Sequence, residues 1–211
     1  GADTLRLTLT AILNSGRDVK LSESRVKGYK SFINKIWNAS NFLIINKCII
    51  DSEFNYKKIN LPINQWIINE LAYTKLQIEN NISKYLFHEV ANELYHFVWH
   101  TYCDWYLEFS KTLLTNNKGE ASETKNVLIW VFGEILKLSH PIIPFVTEKL
   151  WSILFNKENF LINEIYTKIE IQNNYEVSQD NFKKLILIIS SIRNLRSELN
   201  IPYKHQIKLN I

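Results

Sequence analysis

A chain of 211 residues with 46% hydrophobic and 13% aromatic residues can bury a core, which excludes a disordered tail. Its 25 basic and 21 acidic residues leave a net charge of +4, compatible with a nucleic-acid partner without requiring one. Cys48 and Cys103 are too few for a disulfide framework, so reduced thiols and a cytoplasmic setting are expected. No apolar run reaches the roughly 18–20 residues of a membrane span, and no secretory leader is expected.

In chain order, residues 3–13 read as a helix with Leu5, Leu9, Ile12 and Leu13 on one side. Gly16 suits a left-handed cap. Residues 19–21 are a short extended link. Ser22 or Ser24 can cap a long helix that runs to about residue 47. Residues 51–60 are polar and read as a loop. Pro62 then sits in the first turn of a second long helix, with Trp66, Ile67, Leu71 and Ile78 among its apolar residues. A third helix begins near Tyr85 and continues to residue 114. Its expected core stripe is Val90, Leu94, Phe97, Val98, Thr101, Trp105 and Phe109. A fourth covers 122–139. Pro141 and Pro144 end it, and Pro144 can open the next helix, through Phe155. After residue 160 the texture becomes mixed. Asp180 can cap a last helix to about residue 199, and 206–211 alternate as a strand would. The expected fold is therefore all-α: an antiparallel helical bundle over 1–160, with a short C-terminal αβ extension over 161–211.

The long helix after Ser22 has two unlike faces. Val26, Tyr29, Phe32, Ile33, Ile36, Ala39, Ser40 and Leu43 fall on one side. Lys27, Lys30, Ser31, Asn34, Lys35, Asn38 and Asn41 fall on the other, with no acid among them. Phe42 projects among the amides. A flat ring beside amides and lysines offers a single-stranded RNA base a stacking surface, hydrogen-bond partners and cations for phosphate. The same pattern also fits a solvated face, with Phe42 covered by a neighbouring helix.

Other constellations are weaker. His96, His100 and Cys103 share a helical face at metal-ligand spacing, but a fourth ligand is not evident, and no metal is expected. Arg17 and Asp18 follow the turn and suit either a structural ion pair or an RNA contact. Arg25 and Arg196 lie on the apolar sides of their helices, where a charge needs a partner such as Asp3 or Asp18. Lys183, Lys184, Arg193, Arg196 and Lys204 form a modest basic cluster. Trp99, Cys103 and Tyr106 make a side stripe that packs on another helix or borders a base pocket. Five glycines, no phosphate loop and no nucleophile or paired-carboxylate arrangement point away from catalysis by this chain.

Several runs resemble valyl-tRNA synthetases. They are Gly16-Arg17-Asp18, Arg25-Val26-Lys27-Gly28-Tyr29 and Phe32-Ile33-Asn34-Lys35-Ile36-Trp37-Asn38-Ala39, joined by Gly1 to Arg6 and Phe97 to Glu108. Ser139 to Trp151 is similar to a motif that the valyl, isoleucyl and leucyl enzymes share. The resemblance covers nearly the whole chain. It implies the anticodon-binding bundle of a longer protein, with Gly1 an interior residue. It implies that the partners are tRNA(Val), through its anticodon stem-loop, and the remaining synthetase domains in cis. No membrane is expected, and a monomer is. It implies no cofactor in this piece, ATP and Mg2+ belonging to the catalytic domain of the parent, which joins valine to its tRNA. On this reading Phe42 stacks a base, Asn38 and Asn41 meet base edges or ribose, and Lys27, Lys30, Asn34 and Lys35 line the backbone. Arg17, Asp18, Arg25, Trp99 and Tyr106 are structural or secondary contacts. The matching domain of an isoleucyl or leucyl enzyme and a helical protein-interaction module are the alternatives.

Overall fold

The computed structural model of the chain describes residues 1–13, 21–115, 118–155, 159–171, 175–202 and 205. Gly16, Arg17 and Asp18, the expected strand at 206–211 and Lys204 lie outside the described residues. The helices are α1 (Ala2–Ile12), α2 (Glu23–Ile45), α3 (Pro62–Ser83), α4 (Phe87–Tyr95), α5 (Leu107–Thr115), α6 (Lys118–Ser139), α7 (Pro144–Phe155) and α8 (Tyr175–Glu198). A π-helix, His96–Tyr106, joins α4 to α5 as one continuous rod. Among the described residues there is no strand, so the αβ character expected of the extension is not found there.

The chain divides into two compact units, Gly1–Gln172 and Asn173–Ile211. The first therefore takes in residues 161–172, which the sequence placed with the extension. They are held by burial: Leu161 and Ile169 are buried, and Lys75 Nζ donates to the carbonyl of Thr167. That ammonium also pairs with Glu134 at 2.6 Å, with both side chains only 3% exposed. Lys137 reaches the other Glu134 oxygen at 2.9 Å, and the Tyr166 ring lies 4.1 Å beneath Lys75 Nζ. Desolvation by burial lowers the Lys75 pKa, opposed by the Glu134 charge.

Local signals explain the ends of the helices. Pro62 opens α3, where its missing N–H costs nothing. Helices α2, α3 and α8 are each followed by a residue of positive φ, Lys47, Tyr85 and Asn200. After α2 and α3 the next N–H turns back, Cys48 to Leu43 O and Leu86 to Asn81 O, which satisfies carbonyls that the helix leaves unpaired. Glu123 caps the start of α3, accepting from Asn60 N and Leu61 N at 3.0 and 2.9 Å.

Two expected faces are corrected. In α1 the buried residues are Asp3, Thr4, Leu7 and Thr8, while Leu5 and Leu9 are exposed. The helix is turned by about half a revolution from the leucine stripe. Polar satisfaction decides this. The Asp3 carboxylate accepts from Val146 N at 2.7 Å and Phe145 N at 3.3 Å, capping the first turn of α7. Arg6 donates to Ile142 O and Pro141 O at 2.9 and 3.0 Å. In the third rod the expected stripe holds as far as Val98. The buried set then moves on by one residue, to Tyr102, Tyr106 and Ser110 in place of Thr101, Trp105 and Phe109. A π-helix bonds i to i+5, so each of its turns takes in more residues and rotates everything beyond it.

Candidate nucleic-acid interface

Helix α2 spans 23 residues, about 35 Å. Of the inner row that the periodicity predicts, Phe32, Ile36, Ala39, Ser40 and Leu43 are buried, while Val26, Tyr29 and Ile33 are half-buried. The row packs on α1, α6, α7 and the π-helix. The buried Ser40 hydroxyl donates to Trp37 O at 2.7 Å, so it leaves no unpaired donor inside.

Along the seam with the π-helix, Tyr95 is sandwiched between Phe32 and Trp99, with ring centroids 5.2 and 5.4 Å away. The Lys35 ammonium caps this stack, 4.5 Å from the Trp99 centroid. It also pairs with the Asp104 carboxylate, whose other oxygen lies 3.4 Å from His100 Nδ1. Lys35 is thus a half-buried cation held by side chains of the π-helix. The sequence reading placed this lysine along an RNA backbone; here its charge is already engaged by Asp104.

The outward ridge is different. Lys30, Asn34, Asn38 and Asn41 are exposed. Lys27 is also exposed and meets Glu23 at 2.8 Å, so the first turn does supply an acid to this side. Both of those side chains are more than two-thirds exposed, where such pairs are worth little. Phe42 is half-buried, between the amides and the body. Its carbonyl accepts from both nitrogens of Asn46, at 3.1 Å from the backbone and 2.8 Å from the side chain, which closes the end of the helix.

The remaining candidates fall elsewhere. Arg25 is exposed, and Asp3, one partner expected for it, is engaged by α7. Trp99 is half-buried in the aromatic stack. Tyr106 is fully buried and donates to Asn64 Oδ1 at 2.7 Å. It packs, and it has no surface to offer a base. Asn64 in turn donates to Glu123 at 3.0 Å. Burial pushes the Cys103 thiol up to about 12, unsuited to a thiolate ligand. Among the described residues there is no metal-binding group of His, Cys, Asp or Glu. In the second unit Lys183, Lys184 and Arg193 are exposed. There Arg196 Nη2 donates to Pro202 O and His205 O at 2.6 and 3.0 Å.

Two residues escaped the sequence reading. Asp104, which holds Lys35, is visible only as an acid in the Phe97–Glu108 block. Trp37, 39% exposed, falls between the two faces of the helical projection.

The family model described as the anticodon-binding domain of tRNA ligase matches residues 64–211. The chain belongs to that family. The valine–tRNA ligase of Zymomonas mobilis subsp. mobilis is 43% identical over 206 residues, 96% of this chain and 23% of that protein. The valine–tRNA ligase of Pelagibacter ubique is 44% identical over 206 residues, 95% of this chain and 23% of that protein. The chain therefore spans less than a quarter of the length of these relatives. A structure of Agrobacterium radiobacter K84 agnB2 LeuRS, in a ternary complex with tRNA and LeuAMS, shares the fold. Its TM-score is 0.64 at 15% identity, over 82% of this chain and 20% of that one. The family match begins at α3, so likeness over α2 rests on the longer alignments to the valine enzymes. No described helix is long and apolar enough to cross a membrane.

Proposed function

We propose that this chain recognises the anticodon loop of tRNA(Val) as one domain of a cytoplasmic valine–tRNA ligase. It holds the loop so that the acceptor end reaches the catalytic domain, where ATP and Mg2+ do the chemistry. The observation that carries this reading is the outer ridge of α2. Exposed Lys30, Asn34, Asn38 and Asn41 run beside the half-buried ring of Phe42, in a family that binds anticodons. Loop bases are unstacked, so their edges are open to hydrogen bonds. An amide both donates and accepts, and so can pair with either an A or a C edge. Phe42 supplies the stacking surface. Lys27 and Lys30 face the phosphates, while Lys35 keeps its place over Trp99 and acts as a fixed charge.

Fluorescence titration at low salt tests this, comparing a valine anticodon stem-loop with an isoleucine one, for the unaltered chain and for Phe42→Ala. Preference for the valine loop, lost in the variant, is expected. Equal binding of both loops would remove the specificity role. No binding of either would leave α2 a solvated face.

A further inference from the structure

The largest exposed apolar side chain on α2 is the one that the recognition just described does not use. Trp37 is 39% exposed, and Ile44 and Ile45, about two turns further on, are 47% and 78% exposed. Lys30, Asn34 and Asn41 stand on the same side of the helix, at positions i−7, i−3 and i+4 from the indole, and all three are exposed. The only acid in α2 is Glu23, at its first turn. A partner protein surface would more often be met with mixed charges and a broader apolar patch. An indole set among amides and a cation suits a nucleobase, which brings a π face, polar edges and a phosphate.

Position on the helix adds to this. Trp37 and Phe42 are five residues apart, about 7.5 Å along the axis. Asn38 and Asn41 lie between them around the circumference, so the two aromatics bracket the two amides. The backbone beneath is fixed by the Ser40 hydroxyl on the Trp37 carbonyl at 2.7 Å, which holds the turn carrying the indole.

We infer that Trp37 forms a second base-stacking subsite, taking another unpaired nucleotide of the same RNA loop whose neighbour rests on Phe42. This rests on the anticodon-loop reading above and extends it from one stacked base to two, with Asn38 and Asn41 reading edges between them.

The test pairs protein variants with an abasic scan of the valine anticodon stem-loop, titrated against the 211-residue chain at low salt. Trp37→Ala is expected to weaken binding roughly 5- to 150-fold, the range of one lost stacked base, while Trp37→Phe keeps most of the affinity. In the unaltered protein, removing the base at either of two loop positions should weaken binding. One of these losses should vanish in the Trp37→Ala background and the other in Phe42→Ala. A folded Trp37→Ala protein with unchanged affinity overturns the subsite, as does a scan in which only one loop position matters. The scan needs no variant, so a single sensitive loop position overturns the subsite even if Trp37→Ala melts early. If Phe42→Ala weakens binding and Trp37→Ala does not, only this inference falls. If the unaltered chain binds neither intact loop, the inference and the function it rests on fall together.

Discussion

Helices α1 and α2 carry equally clear apolar stripes and use them in opposite ways. In α2 the stripe goes inward, and amides, lysines, one indole and the isoleucines of the last turn are left outside. In α1 the leucines at 5, 9 and 13 are left outside, while Asp3, Thr4, Leu7 and Thr8 go in. The difference comes from what each helix has to satisfy. The start of α7 and the carbonyls of residues 141 and 142 lie against α1, and Asp3 and Arg6 are the groups that complete them. The amides that Asp3 caps and the Ile142 carbonyl are part-buried, and leaving them unpaired would cost more than exposing a few leucines. No such demand falls on the inner row of α2, so hydrophobic burial alone sets its rotation.

Substitutions along the two helices should reproduce that contrast. Ile36→Ala in α2 and Leu7→Ala in α1 each remove a buried aliphatic side chain and should each cost about 2–5 kcal/mol in urea denaturation. Leu9→Ala, on the expected but exposed face of α1, should stay within about 0.5 kcal/mol. A larger loss at Leu9 than at Leu7 would mean that α1 is rotated the other way. Next in size is Asp3→Ala, which uncaps α7 and should cost about 1 kcal/mol, with no effect on RNA binding.

The seam beside α2 also has a pH signature. Burial holds the Cys48 thiol up to about 11 and the Cys103 thiol up to about 12, against an ordinary value of 9.0. Above pH 9 the unfolded chain releases these protons while the folded chain keeps them. Stability is therefore full below that point and falls as pH rises towards the folded values. The buried Tyr102 and Tyr106 hydroxyls, also raised by desolvation, act in the same sense. Lys75, whose pKa is lowered, acts in the opposite one. Denaturation midpoints should decline through this window, and less steeply in a Cys48→Ala, Cys103→Ala protein.

The smallest effects on stability belong to the outer ridge of α2. Lys27→Glu with Lys30→Glu should leave the melting temperature nearly unchanged. It should weaken RNA binding and lower the slope of log K against log salt by about 0.7 for each single-strand phosphate that a lysine no longer neutralises. Lys35→Glu is a poor choice for that experiment. It would set a like charge against Asp104 and open the seam with Trp99, so it should lower the melting temperature as well as the affinity. A change in affinity alone would mean that the Lys35–Asp104 pair does little to hold the seam.

How much was legible varies from one residue to the next. Pro62 and Pro144 marked helix starts because proline fixes φ and lacks the N–H that a first turn can spare. Trp66, Ile67, Leu71 and Ile78 were readable as core because α3 is a regular helix, and all four are buried. The two faces of α2 were readable for the same reason. Trp105 and Tyr106, at the far end of the π-helix, exchange the places that the periodicity predicts, since projection at one fixed period cannot register that π-helix. Lys35 looked free because its counter-charge, Asp104, lies far along the chain.

The sequence by itself determined that the chain is helical, where most helices begin and end, and which family it belongs to. These follow from local backbone chemistry, apolar spacing and contiguous motifs. Only the tertiary structure decided which way α1 turns, where the third rod shifts its register, and which cations of α2 remain available to a ligand. Each of those depends on pairing between groups far apart in sequence, where a buried backbone or charged group finds its partner at the expense of the pattern that its own helix suggests.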